Sequence, residues 1–234
     1  MNISKKIVGL TLLLLFGNGV AVAADYNKGL KAYHLGDFKT TIAEWTPLAE
    51  QGGSDAQYNL GVMYDFGDGV PENDKTAVKW YTLAAEQGYA KAQYNLGVMY
   101  DKGYGVPEND KTAVKWYTLA AEQGHASAQF NLGNKYGNGE GVPENDKTAV
   151  KWYTLAAKQG HARAQTNLGL MYDNGSGVLT DTKRAYMWYN LSSYNDNEIG
   201  GKNKDKITKE MTPADISKAQ DMSSRCLESN YTDC

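Results

Sequence analysis

The stretch VPENDKTAVKWYTLAAEQG occupies Val70–Gly88 and recurs unchanged at Val106–Gly124. At Val142–Gly160 it returns with Lys158 where the earlier copies have Glu86 and Glu122. The step is 36 residues, and other positions keep it. Asn59-Leu60-Gly61 recurs as Asn95-Leu96-Gly97, Asn131-Leu132-Gly133 and Asn167-Leu168-Gly169. Trp80, Trp116, Trp152 and Trp188 follow, as do the glycine pairs Gly67/Gly69, Gly103/Gly105, Gly139/Gly141 and Gly175/Gly177. A period of this size is the mark of one supersecondary unit copied along the chain. A single such unit cannot bury its apolar stripe alone, so neighbours must stack.

Each unit reads as two helices. Lys91–Asp101 puts Ala92, Leu96, Met99 and Tyr100 on one face at helical spacing. Asp74–Gln87 does the same with Ala77, Trp80, Tyr81, Ala84 and Ala85. The alanines and Gly97 let helices approach closely, with Trp80 filling the larger gap. Between the helices, KGYGVPEN carries glycines suited to a left-handed helix end, then Pro107 ahead of the next start. Asn73 or Asp74 serves as N-cap, and Gly88 closes the second helix. No alternating strand pattern follows the first 24 residues, so the class is all-α.

These motifs resemble the Sel1-like repeat, a relative of the tetratricopeptide repeat with a longer loop inside its hairpin. The spacing of A-Q-x-N-L-G, G-x-G-V and A-x-x-W-Y carries the resemblance. It implies an α-solenoid, a right-handed superhelix of about five stacked antiparallel hairpins plus a C-terminal capping helix. The repeats are expected at 54–89, 90–125, 126–161 and 162–194, after a tetratricopeptide-like opening hairpin at 25–53. The last unit departs from the pattern, with Leu179 in place of the proline. A polar linker is expected at 195–211. The capping helix and tail at 212–234 start with Thr212 as cap, Pro213 at the first position and Asp215 in the first turn.

The ends and the composition narrow the function. Lys5 and Lys6, the apolar run Ile7–Phe16 and the small-residue stretch GNGVAVAA form a secretory leader over 1–24, cleaved after Ala23 or Ala24. Removing it takes the formal charge from −3 to −5. That acidity excludes a nucleic-acid partner, which calls for a basic footprint. After cleavage no stable membrane span is expected, and the location is periplasmic or secreted. The two cysteines, Cys226 and Cys234, are expected to pair as a disulfide in that oxidising setting.

Catalytic chemistry finds no constellation. His125 and His161 occupy one register in successive units, after Gly124 and Gly160, and read as exposed turn residues; His34 sits near the opening turn. The loops DFGDGV, DKGYGV, GNGEGV and DNGSGV lack the alternating oxygen ligands of a calcium loop and the strand context of a phosphate loop. Helix-end geometry accounts for their glycines. The carboxylates of PEND lie at hydrophilic helix starts, whereas acid–base work needs a carboxyl in a closed, partly apolar site. No enzyme, cofactor or metal is expected.

Binding is expected on the first helices, which by the tetratricopeptide resemblance line a groove. The candidates are Asp55, Tyr58, Val62 and Asp65; then Lys91, Tyr94, Val98 and Asp101; then Phe130 and Asn134, beside Ser127 and Gly137; then Arg163, Leu170 and Asp173, beside Thr166. Tyr94 and Val98 suit either the groove or the packing between repeats. Asp65, Asp101 and Asp173 are assigned to the groove. Phe66 and Tyr104 make a second, loop-edge candidate. The resemblance implies an exported monomeric scaffold that binds an unidentified protein or peptide in the bacterial envelope, such as an adaptor or a periplasmic immunity protein. The alternative is a protein that binds cell-wall fragments or binds and hydrolyses β-lactams, as in a branch of the family whose hairpins each carry a cysteine pair.

Overall fold

The computed structural model describes residues 24–234. The expected leader lies outside the described residues except for its last position, Ala24. Helices α1 (Tyr26–His34) and α2 (Phe38–Glu50) form the opening hairpin. Four longer hairpins follow: α3 (Ser54–Phe66) with α4 (Asp74–Glu86), α5 (Ala90–Lys102) with α6 (Asp110–Glu122), α7 (Ala126–Asn138) with α8 (Asp146–Ala157), and α9 (Ala162–Asn174) with α10 (Thr182–Tyr194). Each second helix also packs on the first helix of the next hairpin, so the hairpins stack in chain order. The all-α array of stacked hairpins expected from the period is the fold observed.

Local chemistry sets the helix ends. Asn73, Asn109 and Asn145 are extended, and their side-chain oxygens accept the amides of Thr76, Thr112 and Thr148 at 2.9–3.0 Å. Gly88 takes φ +89° and donates to the Ala85 carbonyl while Tyr89 donates to Ala84, which closes α4 in a Schellman motif. The long loop folds back on its own helix, the Asn73 amide donating to the Tyr64 carbonyl at 2.8 Å. Its two glycines have different tasks, which corrects the common helix-end role expected for them. Gly67 and Gly103 end their helices in the left-handed conformation. Gly105 instead lies on the first turn of α4, where a Cβ would sit 2.5 Å from the Asp74 carbonyl carbon. Gly141 meets Asp110 and Gly177 meets Asp146 in the same way. The second glycine of each loop therefore holds one hairpin against the hairpin before it.

Inside each hairpin the gap is filled by tyrosine, not by tryptophan as the sequence suggested. Tyr81, Tyr117, Tyr153 and Tyr189 are buried, and their rings lie flat on Gly61, Gly97, Gly133 and Gly169, where any Cβ would approach ring carbons to 2.5–2.6 Å. Adjacent helix positions diverge by about 100°, so Trp80 cannot share that direction with Tyr81. Trp80, Trp116 and Trp152 are half-buried against the core of the preceding hairpin, under Lys79, Lys115 and Lys151.

A buried glutamine ties the stack together. The Gln93 amide donates to the Ala85 carbonyl at the end of α4 and accepts from Gln123 at the end of α6 (2.7 Å). Gln57, Gln129 and Gln165 repeat the arrangement. These residues satisfy carbonyls that helix ends leave open. In the last copy Asn195 replaces the partner glutamine and is itself bonded to the Tyr231 hydroxyl.

The stretch 195–211, expected to be a linker, is corrected by the structure: it contains helix α11 (Glu198–Thr208). Asn197 caps it, and Gly200 lets it press against Ser192 of α10, so burial of Ile207 is enough to seat a polar helix. Helix α12 (Pro213–Glu228), capped by Thr212, packs on α10. Cys226 is buried and bonded to Cys234, and the tail between them carries Tyr231 back to Asn195.

Candidate functional site

The first helices carry a ladder of rings. Tyr58 packs on Tyr89 with centroids 5.1 Å apart, Tyr94 stacks on His125 at 4.6 Å, and Phe130 stacks on His161 at 4.8 Å. The apolar groove candidates thus pack between repeats and keep a partly exposed face. The histidines are not exposed turn residues: both are half-buried, and Nδ1 of each accepts a backbone amide, from Ala128 at 3.3 Å and Ala164 at 3.2 Å. The sequence hid this because a histidine N-cap has no strong signature beside Asn, Asp or Ser.

Burial, helped by Lys91 at His125 and Arg163 at His161, lowers both imidazole pKa values. A group whose folded pKa is depressed contributes stability that is full above the unfolded value and lost as pH falls through the folded one. Stability should therefore decline as pH drops below about 6.5. In the His125→Asn/His161→Asn variant, which keeps a capping oxygen without a titrating ring, the urea midpoint should fall less between pH 7 and pH 5. An unchanged pH slope would refute the assignment.

The aspartates assigned to the groove are occupied. The hydroxyls of Tyr81, Tyr117 and Tyr189 donate to Asp65, Asp101 and Asp173 at 2.9, 3.5 and 3.3 Å. Burial raises the Asp65 pKa, with the Tyr81 hydroxyl acting against it. The third repeat breaks the pattern with Gly137, and there Tyr153 donates to Asn134 at 2.8 Å.

The same repeat holds Lys135 where its sisters have Met63, Met99 and Met171. Its side chain is only 8% exposed, and its ammonium pairs with Asp101, with Asp110 at 2.7 Å and with Glu140 at 2.8 Å. Burial opposes the charge, but the three carboxylates overcome it and the lysine pKa is raised. Burial would also raise Asp101; the ion pair with Lys135 wins, and its carboxyl sits below the usual range. The cluster spans α5, α6, α7 and the loop after α7.

Beside it lies a cleft of about 550 Å³ across α5, α7 and α9, bounded by Tyr94, Val98, Asp101, Phe130, Asn134 and Arg163 among the expected residues. Lys102, Tyr117, Asn131, Lys135, Asn138 and Glu140 complete it. A smaller recess of about 360 Å³, with Ser127 and His161 in its wall, shares Tyr94, Phe130, Asn131 and Arg163. Asp55, Tyr58, Val62, Asp65, Lys91, Leu170 and Asp173 lie outside both. Thr166 is buried against Ser192. The loop-edge residues Phe66 and Tyr104 are 69% and 52% exposed and border neither cavity. Lys135, Tyr117 and Asn131 were missed as cleft residues. Comparing the copies position by position flags Lys135, since GNKY stands where the others have GVMY or GLMY.

A family model described as Sel1 repeat matches residues 54–89, 90–125, 126–161 and 162–197, the last ending three residues beyond the expected boundary. Among solved structures, a Sel1 repeat protein from Oxalobacter formigenes is 39% identical over 75% of this chain and 72% of that one, with a TM-score of 0.72. The protein c5321, a protective antigen present in uropathogenic Escherichia coli strains displaying an SLR fold, is 36% identical over 87% of this chain, with a TM-score of 0.78. This chain spans 47% of c5321. None of the curated proteins searched matches the chain.

Proposed function

The chain belongs to the Sel1 repeat family, and we propose that it is a non-catalytic scaffold that binds another protein or peptide in the cell envelope. One observation carries this reading. The cleft over α5, α7 and α9 is lined by residues that differ between otherwise near-identical copies: Phe130, Asn134, Lys135 and Arg163. Its rings are held by stacking, so little side-chain freedom is lost when a partner covers them. The Cys226–Cys234 bond supports an oxidising compartment. Among the described residues no helix is long and apolar enough to cross a membrane. An adaptor or an immunity protein fits this description. The β-lactam alternative leans on hairpins that each carry a cysteine pair, whereas the pair here joins α12 to the tail.

Photo-crosslinking in intact cells tests the site. A benzophenone amino acid at position 98 or 138, both in the cleft wall, should give a discrete adduct, and one at position 115, on a second helix, should not. Adducts only from positions 66 and 104 would move the surface to the loop edge. Hydrolysis of a β-lactam by the purified protein would overturn the non-catalytic reading.

A further inference from the structure

Arg163 is exposed in the first turn of α9, at the register of Asp55, Lys91 and Ser127. Among the described residues its guanidinium has no carboxylate partner, although it borders both the cleft and the recess. The other charges of the cleft are already matched: Lys135 holds Asp101, Asp110 and Glu140, and Lys102 meets Asp101 at 3.2 Å. That cluster keeps one negative charge in excess, so the cleft is positive at Arg163 and negative at the far end. In the recess the remaining titratable wall groups are Tyr94 and His161, and burial disfavours the charged form of each. Between the ends lie Tyr94 and Phe130, with the Asn131 amide beside the Tyr94 and Tyr117 hydroxyls.

We infer that this cleft takes an extended peptide segment with an internal aspartate or glutamate, whose carboxylate pairs with Arg163 while an adjacent apolar side chain lies on Tyr94 and Phe130. A planar guanidinium presents paired donors that match a carboxylate. The N-terminal turn of α9 adds a favourable field for an anion. Arg163 lines both cavities, so a segment that occupies the two runs past it on both sides. The acid is therefore a side chain within the segment and not a chain terminus. The excess negative charge around Lys135 repels a second acid at the far end and sets the direction in which the segment lies. This inference rests on the peptide-binding reading above and adds the chemistry of the ligand.

The test is selection of random dodecapeptides displayed on phage through their C-termini, so that no free terminal carboxylate is offered, against the purified protein. Enriched sequences should share an Asp or Glu next to an aromatic or aliphatic residue. As synthetic, C-terminally amidated peptides they should lose affinity about tenfold with Arg163→Ala, the order expected for a charge-assisted contact, and more with Arg163→Glu. Replacing the peptide's own acid by its amide should give the same loss, and Lys115→Glu on a second helix should give none. Circular dichroism of each variant confirms that the fold is kept.

Enriched peptides that lack an acid, or that bind Arg163→Glu as well as the parent, overturn the inference. If those peptides still lose binding with Tyr94→Ala, the proposed function stands without it. Peptides that bind only with a free C-terminus also overturn it, since the acid would then be terminal. No enrichment, or binding indifferent to both positions, overturns the inference and the groove reading together.

Discussion

Gly105→Ala should destabilise the protein by about 3–5 kcal/mol, a large loss for a single added methyl group. Two costs add. The residue has φ +66°, which an L side chain occupies at a cost of about 1–2 kcal/mol. The new carbon would also lie 2.5 Å from the Asp74 carbonyl carbon and 2.7 Å from the Lys75 amide nitrogen, both main chain that cannot rotate away. The loop must lift from α4, and the stack opens between the first and second long hairpins. Gly103→Ala provides the internal comparison. Its φ is +71°, but the nearest atoms to its Cβ are 3.4 Å away or more, so only the backbone cost of about 1–2 kcal/mol applies. Urea unfolding followed by tryptophan fluorescence measures both. Equal losses at the two glycines would show that Gly105 has no stacking role.

Lys135→Met should also cost about 3 kcal/mol at pH 7, although it restores the residue found in the sister repeats. The loss comes from the group left behind. Asp101, with a side chain 10% exposed, would lose its buried cation and keep the Tyr117 hydroxyl and Lys102, whose side chain is 58% exposed and whose charge is screened by water. Asp65 shows the limit of that change, with a hydroxyl partner, no described cation and a raised pKa. In the parent the depressed Asp101 pKa contributes stability that is present above about 3.9 and lost as pH falls through the folded value. In the variant burial is opposed only by the screened Lys102, so the Asp101 pKa rises and protonation relieves the buried charge. The stability gap between the two proteins should therefore narrow on acidification from pH 7 to pH 3, and carboxyl NMR should place the Asp101 titration above its position in the parent. A gap that is constant with pH would mean that the lysine contributes only its packing. Lys135→Met/Asp101→Asn should recover much of the loss, because replacing both members of a buried pair leaves no charge stranded.

The repeat made the fold legible. A period of 36 with two helical stripes per unit leaves stacked hairpins as the only way to bury Leu96, Met99, Ala84 and Ala85 together. Side-chain direction was harder to read. Trp80 and Tyr81 are neighbours of similar size, and only the position of Gly61 across the hairpin decides which one enters the gap. The loop glycines were legible as helix ends at Gly67 and Gly103. The job of Gly105 depends on contact with the preceding unit, which no local pattern encodes. Helix α11 was hidden by its composition, since a polar helix held by one cap, one close glycine and one buried isoleucine looks like a linker. In the candidate site, Tyr94, Val98, Asp101, Phe130, Asn134 and Arg163 were marked by register alone, and these six do meet in one cleft. The pairing of Lys135 with acids from two helices and a loop requires three dimensions, although its departure from methionine was visible.

The side-chain hydrogen bonds have a consequence for how the molecule comes into being. Among the described residues none joins positions more than 36 apart. Each clasp binds a glutamine to main chain only eight residues upstream, as Gln93 does to Ala85. A hairpin leaving a ribosome or a translocation channel, amino end first, thus meets a finished template and waits for nothing still to be delivered. Construction can keep pace with delivery, and the closing act is the return of Tyr231 to Asn195 once the last residues have arrived.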